Sequence, residues 1–171
     1  MACDISLGRT RVCKDSLGGN STLYLYNELA LPFTVSAGGE ATAMNAALTA
    51  NYKFELEGDL NTLVQSMVGD RNAGSKFNTQ TLTVVLKKMD AATNAQFNLL
   101  VAGYSQAVVV DRNGNYLSVG ADDGIDWTVE SNTGGAKADG NIYTLTGVAT
   151  TADLSPILDT ATKAAFLLVT V

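Results

Sequence analysis

The chain contains no histidine and few charged side chains of any kind. Histidine is the residue that most often acts as a general base or activates a nucleophile near neutral pH, so its absence removes the commonest catalytic arrangements. Charged residues make up only 16% of the 171 residues, which is low for a protein that exposes its whole surface to water. A polar but weakly charged surface loses its water at low cost. This composition therefore favours burial of surface between subunits.

Long apolar runs are also missing. The longest uncharged apolar stretch, 164–171, is far shorter than the roughly 18 residues that a membrane-crossing helix needs. The opening Met1-Ala2-Cys3-Asp4 has neither the basic run nor the apolar segment of a signal peptide. We therefore expect no membrane insertion and no export.

Cysteine is scarce, with Cys3 and Cys13 as the only two. A reduced pair in a cytosolic protein is the default expectation, and a disulfide is the alternative. Two thiolates do not complete a zinc site, and no histidine is present to help them. The sequence predicts no metal and no cofactor.

The net charge of −6 argues against tight binding of nucleic acid. Duplex DNA carries one negative charge per roughly 1.7 Å of axis, and proteins that hold it neutralise phosphates with a basic surface. A mild acidic bias suits either ordinary solubility or a surface past which DNA slides without sticking.

Carboxylate clusters are the remaining candidates for catalysis. Asp122-Asp123 lies in a predicted turn, where aspartate is favoured for local hydrogen bonds, and Glu55-x-Glu57-x-Asp59 follows the polar face of a predicted strand. Neither pattern is specific, and we predict that the protein is not an enzyme.

Two patterns resemble ligand-binding loops but fail in detail. The stretch 69–76 has the glycine spacing of a P-loop, yet its Ser75 and Lys76 are in the wrong order and it joins two strands rather than opening a helix. Asp111-x-Asn113-x-Asn115 begins like a calcium loop but has its glycine in the wrong place and no flanking helices. Both are interpreted as turns.

The hydrophobic pattern predicts one mainly β domain over 1–171, a sandwich or barrel of antiparallel strands. Alternation is clearest at Tyr52, Phe54 and Leu56, and again along Phe77–Lys88. We expect an N-terminal loop or arm over 1–20, long strands and one long hairpin over 51–88, and hairpins over 107–148. The alanine-rich stretch 40–49 stays ambiguous between helix and loop.

A single helix is predicted over 91–102. Asp90 can accept hydrogen bonds from its first free N–H groups, and Gly103 ends it. Its buried stripe is predicted to be Phe97, Leu100 and Val101.

The last eight residues, 164–171, are predicted to form an apolar strand. An apolar strand edge without charge invites association, so it must lie inside the sheet or under a neighbouring subunit. We expect Phe166, Leu168 and Val171 to contact another subunit. The basic Arg9 and Arg11 form either a solvated face or a contact to an acidic neighbour.

Three stretches carry a resemblance to phage virion structural proteins. These are 3–19 with its two cysteines and paired glycines, the strand-to-helix run 81–90, and 110–120 together with 141–147. The order of elements, with strands, one long hairpin, one helix and then compact hairpins, resembles the tail tube fold of long-tailed bacteriophages. The likeness covers about two thirds of the chain and carries no catalytic motif.

The resemblance implies rings of six subunits that stack into a hollow tube in the virion and conduct DNA during ejection. Tape-measure, tail terminator and baseplate proteins are the implied partners, with assembly in the host cytoplasm. Candidates to face the lumen are Glu55, Glu57, Asp59, Gln65 and Gln80. The alternatives are another phage virion protein (head decoration, head–tail connector or fibre component), an adhesin or pilus-like subunit, and an enzyme on a β scaffold.

Overall fold

The computed structural model describes residue 5, residues 7–11 and residues 13–171, and within them the protein is mainly β, as predicted. Two sheets and two helices form the fold. The first part of the chain gives β1 (Asn20–Asn27), β2 (Phe33–Val35), β3 (Glu40–Met44), β4 (Tyr52–Glu55), β5 (Thr62–Asp70), β6 (Ser75–Lys87) and α1 (Ala91–Ala102). The second part gives β7 (Ser105–Asp111), β8 (Tyr116–Val119), β9 (Asp126–Asn132), β10 (Ile142–Thr151), β11 (Ile157–Leu158) and α2 (Thr160–Leu168).

The larger sheet has seven strands in the order β2-β3-β11-β8-β7-β1-β4, and the smaller has four in the order β5-β6-β10-β9. All pairs are antiparallel except β11 with β3. The predicted long hairpin is confirmed, because β5 pairs with β6 from Thr62↔Thr83 out to Asp70↔Ser75. The β7–β8 hairpin predicted from Asn113-Gly114 is confirmed too.

The alternation of β1 explains why the molecule has two cores. Leu23 and Leu25 point between the sheets, where they meet Val84 and Leu145 of the smaller sheet. Tyr24 and Tyr26 point the other way, into a second cluster on the outer face of the larger sheet. A strand that is buried on both faces must be central in its sheet, and β1 has β7 and β4 on its two sides.

Helix α1 begins and ends where the sequence predicted. The carboxylate of Asp90 accepts a hydrogen bond from the backbone N–H of Thr93 at 2.8 Å, and Gly103 follows the last turn. The predicted stripe is only partly right. Phe97 is buried, but Val101 is 51% exposed. Phe97 packs against Phe54 and Tyr143, so α1 closes one side of the sandwich.

The predicted C-terminal strand over 164–171 is wrong, and so is the prediction of a single helix. Residues Thr160–Leu168 form α2, which is capped by Asp159 through a 2.7 Å hydrogen bond from the N–H of Thr162. Phe166 is fully buried by its own chain against Tyr24, Tyr26 and Phe33. The short apolar run 164–171 has no hydrophobic periodicity that distinguishes a helix from a strand. The N-cap at Asp159, just before α2, favours the helix.

The ambiguous stretch 40–49 contains strand β3, which pairs with β2 and β11. Its alanines sit in a sheet because Ala41 is fully buried beneath the aromatic cluster. Burial between neighbouring elements outweighs the helical preference of alanine here.

Candidate assembly surfaces

Threonine is the most frequent residue on the outer face of the smaller sheet. Thr62, Thr83, Thr146 and Thr128 lie directly opposite one another and form one row across all four strands. The residues that alternate with them, such as Leu82 and Leu145, are buried in the core between the sheets. We call this outer surface the threonine face. Its members are Thr62, Val64, Ser66, Val68, Phe77, Thr79, Thr81, Thr83, Val85, Lys87, Asp126, Thr128, Glu130, Asn132, Ile142, Thr144, Thr146, Val148 and Thr150.

Charge is confined to the margins of the threonine face. Lys87 lies at the end of β6, while Asp126 and Glu130 lie on the edge strand β9. Apolar side chains are nevertheless exposed near its middle and along the projecting hairpin, with Val64 at 59% and Phe77 at 42% exposure. A contiguous exposed surface of this kind is typical of a contact site or of a wall that must not bind ions.

Both edges of the smaller sheet are open within the described part of the chain. The N–H of Lys88 donates to the carbonyl of Asn141 directly opposite it, which fixes the alternation of hydrogen bonds along β6 and β10. The registers of β5 with β6 and of β10 with β9 extend this alternation to the two edge strands. On each edge strand, every second N–H group therefore points away from the sheet. These N–H groups belong to Leu63, Gln65, Met67 and Gly69 on β5 and to Trp127, Val129 and Ser131 on β9.

A groove of about 600 Å³ runs beside the free edge of β9. Helix α1 forms one wall with Asn98 and Val101, and β9 forms the other with Val129 and Ser131. A strand that pairs with an open edge places every second side chain towards the inner face of the sheet. The groove is therefore positioned to receive the inward side chains of a strand added at β9.

The three acidic residues predicted to face a lumen do not lie on the threonine face. Glu55 is on β4 of the larger sheet, 2.8 Å from Lys53, and the hydrogen bond from Lys53 lowers the pKa of its carboxyl. Glu57 lies 3.0 Å from Lys87, and Asp59 lies 2.9 Å from Arg112. All three form exposed ion pairs.

The two glutamines predicted to face the lumen point inward instead. Gln80 is 1% exposed, which is incompatible with lining an open channel. Its amide donates to Ser155 Oγ at 3.0 Å and its carbonyl oxygen accepts from the N–H of Gly120 at 2.9 Å. Gln65 is half-buried on the same inner face and accepts from the N–H of Ser155 at 2.8 Å.

The predicted inter-subunit residues divide into two groups. Phe166 belongs to the core of its own chain, so that prediction is wrong, whereas Leu168 and Val171 are 86% and 79% exposed. Arg9 and Arg11 are exposed on the N-terminal segment. These four residues remain predictions for contact with another subunit.

The N-terminal segment is fastened to the sandwich at one point. The side chain of Asn113 accepts a hydrogen bond from the N–H of Leu17 at 2.8 Å and donates to its carbonyl at 2.9 Å. Cys13 is exposed, whereas Cys3 lies outside the described residues, so the pairing of the two cysteines stays a prediction. The pattern Thr79-x-Thr81-x-Thr83 in the sequence could have identified the threonine face, because threonine occupies each outward position.

The described residues contain no cluster of three or more acidic or cysteine side chains that could hold a metal ion. Asp111, which begins the calcium-like pattern, accepts a hydrogen bond from the side chain of Asn115, and Asp122 of the carboxylate pair accepts one from the N–H of Ala152. None of the helices described is both long and apolar enough to cross a bilayer. No protein-family model, no curated protein and no solved structure matches this chain.

Proposed function

We propose that this protein is a structural subunit of a bacteriophage tail tube, in which six copies form a ring and rings stack around a channel for DNA. The observation that carries the proposal is the four-stranded sheet with a row of free N–H groups on each edge and a threonine face of low charge between them. Unpaired strand edges of this length would make a monomer prone to aggregation, because they can pair with any other exposed strand. Pairing with further copies in a closed ring removes these free edges.

The strand directions favour closure into a ring. The four strands are all antiparallel to their neighbours, so β5 and β9 at the two edges run in opposite directions. Rotation of a copy about a ring axis then brings its β5 antiparallel to β9 of the adjacent copy, and the hydrogen-bond ladder continues without a break. The inward and exposed side chain of Met67 on β5 would enter the groove beside α1.

The dimensions suit a channel for duplex DNA. Six copies supply about 24 strands at a spacing of roughly 4.8 Å, which gives a circumference on the order of 115 Å and a backbone diameter of about 37 Å before strand tilt widens it. Side chains on the inner wall reduce this by about 5 Å on each side. The remaining opening admits a double helix.

The threonine face is suited to line that channel. Threonine presents hydroxyl and methyl groups that carry no charge, and Lys87 is the one basic residue on the face. Without a basic footprint the wall neutralises few phosphates, so DNA passes without a strongly bound state. The larger sheet, with α2 on its far face, then forms the outside of the tube. Tape-measure, terminator and baseplate proteins are the partners that such a tube requires in the virion.

Electron microscopy of the purified protein at high concentration tests the proposal. We expect hollow tubes with a regular axial repeat, or six-membered rings at lower concentration. A strictly monomeric protein would overturn the proposal, and closed trimers would favour a head decoration protein instead.

Met67→Pro tests the role of the sheet edge. Proline removes an N–H that points away from the sheet and leaves the ladder to β6 intact. We expect a folded protein that forms neither rings nor tubes. Met67→Ala, which keeps the N–H, serves as the matched control and should assemble.

A further inference from the structure

The N-terminal segment carries apolar and basic side chains that its own chain does not cover. Ile5 and Leu7 are 94% and 86% exposed, and Arg9 and Arg11 are exposed as well. Residues 5–17 contain three cations, including Lys14, and one carboxylate, Asp15. We call residues 5–17 the arm.

The arm leaves the sandwich at a defined end. Asn113, which holds Leu17, lies in the β7–β8 turn, and the adjoining Gly19 accepts a hydrogen bond from the N–H of Arg112. Strand β7 runs from this turn to Ser105, a distance of about 20 Å. The connections beside Ser105 therefore form the opposite end of the molecule.

That opposite end combines exposed apolar and acidic side chains. The amide of Gln106 donates to the carbonyls of Leu29 and Ala121, both at 3.2 Å, and so joins the loop after β1 to the turn after β8. The N–H of Glu28 donates to the carbonyl of Tyr104 at 3.1 Å. These contacts gather one surface, which we call the acidic end and which consists of Glu28, Leu31, Tyr104, Asp122 and Asp123.

The acidic end matches the arm in composition. Leu31 and Tyr104 are 77% and 64% exposed, and Glu28, Asp122 and Asp123 supply three exposed carboxylates at the same end. The ion pairs found in the described part of the chain involve Lys53, Lys76, Lys87 and Arg112, and none uses a cation of the arm or a carboxylate of the acidic end. The arm thus offers two apolar residues followed by cations, and the acidic end offers the complementary set.

We propose that the arm of one copy binds the acidic end of another copy, head to tail. Opposite ends of one molecule that bind each other make a heterologous contact, which repeats without closing and produces an open stack. The arm, with about 12 residues before its anchor, spans up to roughly 40 Å when extended, so it reaches across the junction between two stacked copies. The inference rests on the proposed tube in one respect, namely that the contact joins successive rings. In such a junction six arms bind at the same time, which strengthens the contact.

Zero-length cross-linking tests the contact with native residues. A carbodiimide joins an amine to a carboxylate, and a mixture of isotopically labelled and unlabelled full-length protein separates bonds between copies from bonds within one. We expect Lys14 to be joined to Glu28, Asp122 or Asp123 of another copy. Bonds from Lys14 only to its own chain, or only to other carboxylates, would overturn the inference.

Charge exchange supplies the second test. The variant Arg9→Glu/Arg11→Glu should shorten the assemblies at least tenfold, and Glu28→Lys/Asp123→Lys should do the same. The four substitutions together should restore length, because the ion pairs re-form with reversed sign. Lys137→Glu, in the exposed loop between β9 and β10, is the control and should assemble normally.

The outcomes separate this inference from the proposed tube. If the wild type forms tubes and the charge-exchange variants form tubes of the same length, the arm contact is wrong and the tube proposal stands. Cross-links from Lys14 to the acidic end in a protein that forms head-to-tail chains but no rings would support the arm contact and overturn the tube.

Discussion

Neighbouring apolar side chains of this protein can differ completely in burial, and Phe166 is the clearest case. Its position in the sequence does not show whether it is buried or exposed. It lies in an uncharged apolar run between the exposed Leu168 and the half-buried Lys163. Its ring meets Tyr24 edge-on at 5.3 Å between centroids, and Tyr26 and Phe33 complete the pocket. Interlocked aromatic rings of this kind stabilise beyond the area that they bury.

Phe166→Ala should lower the free energy of unfolding by about 3–5 kcal/mol, because it leaves a cavity among rings that cannot collapse into it. Urea denaturation measures the change. Leu168→Ala, two residues away and largely exposed, should change stability by less than about 0.5 kcal/mol. Equal losses in the two variants would contradict the assignment of Phe166 to the core.

Asp111 organises the β7–β8 turn. Its carboxylate accepts from the N–H groups of Asn113 and Asn115, both at 2.8 Å, and from the side chain of Asn115 at 2.8 Å. Partial burial raises the pKa of the Asp111 carboxyl, but these hydrogen bonds outweigh burial and lower the pKa overall. The interpretation of this motif as a turn is confirmed.

Asp111→Ala should destabilise the protein by about 1 kcal/mol at neutral pH, a value at the low end for such bonds because the group is partly exposed. A lowered native pKa means that this stability is present above the unfolded pKa of about 4 and is lost as the pH falls through the native value. The difference between wild type and variant should therefore shrink as the pH falls below about 4. A difference that stays constant over this range would contradict the role of the charged carboxylate.

The elements show where sequence patterns were sufficient. The long hairpin and α1 were predicted because alternation in one and a cap in the other are local signals. Strand β3 was missed because its identity depends on distant residues, namely the partner strands of Ala41. Helix α2 was missed because the apolar run 164–171 has no period that separates helix from strand, and the N-cap at Asp159, which precedes this run, was overlooked. The inward orientation of Gln80 was missed although it is a local signal, because Gln80 shares the face of Leu82 and Val84 in the alternation of β6.

Gln80 joins the smaller sheet to the larger one. Its amide group links β6 to the turn at Gly120 and to Ser155, which precedes β11. Gln80→Leu should cost about 2 kcal/mol, because it leaves a buried N–H and a buried hydroxyl without partners. Thr81→Leu, one residue away on the threonine face, should change the stability of the monomer by less than about 0.5 kcal/mol. Thermal and urea unfolding of both variants measure the contrast.

At the scale of the whole molecule, the two sheets have different roles. The larger sheet is covered on both faces, by the smaller sheet and by α2 with its aromatic cluster. The smaller sheet has one covered face, one threonine face and two open edges. The uncovered sheet surface in the described part of the chain is therefore concentrated on the smaller sheet.

Cysteine labelling tests which face lines the channel. In a Cys3→Ser/Cys13→Ser background, Thr81→Cys should react with a bulky maleimide–polyethylene glycol as free subunit and become protected in assembled tubes. Ala161→Cys, on the exposed surface of α2, should react equally in both states. Protection of Ala161→Cys together with free reaction of Thr81→Cys in tubes would show that the sheets are oriented the other way.

The sequence by itself determined the β character, the long hairpin, helix α1 and the β7–β8 turn, because each depends on neighbours within a few residues. It also determined the low charge content on which the proposal of assembly draws. Only the tertiary structure decided that Phe166 of the terminal segment is buried by its own chain under the aromatic cluster, and that the arm and the acidic end lie at opposite ends. Those facts depend on which distant strands meet, and strand pairing is set by packing across the whole domain rather than by local preference.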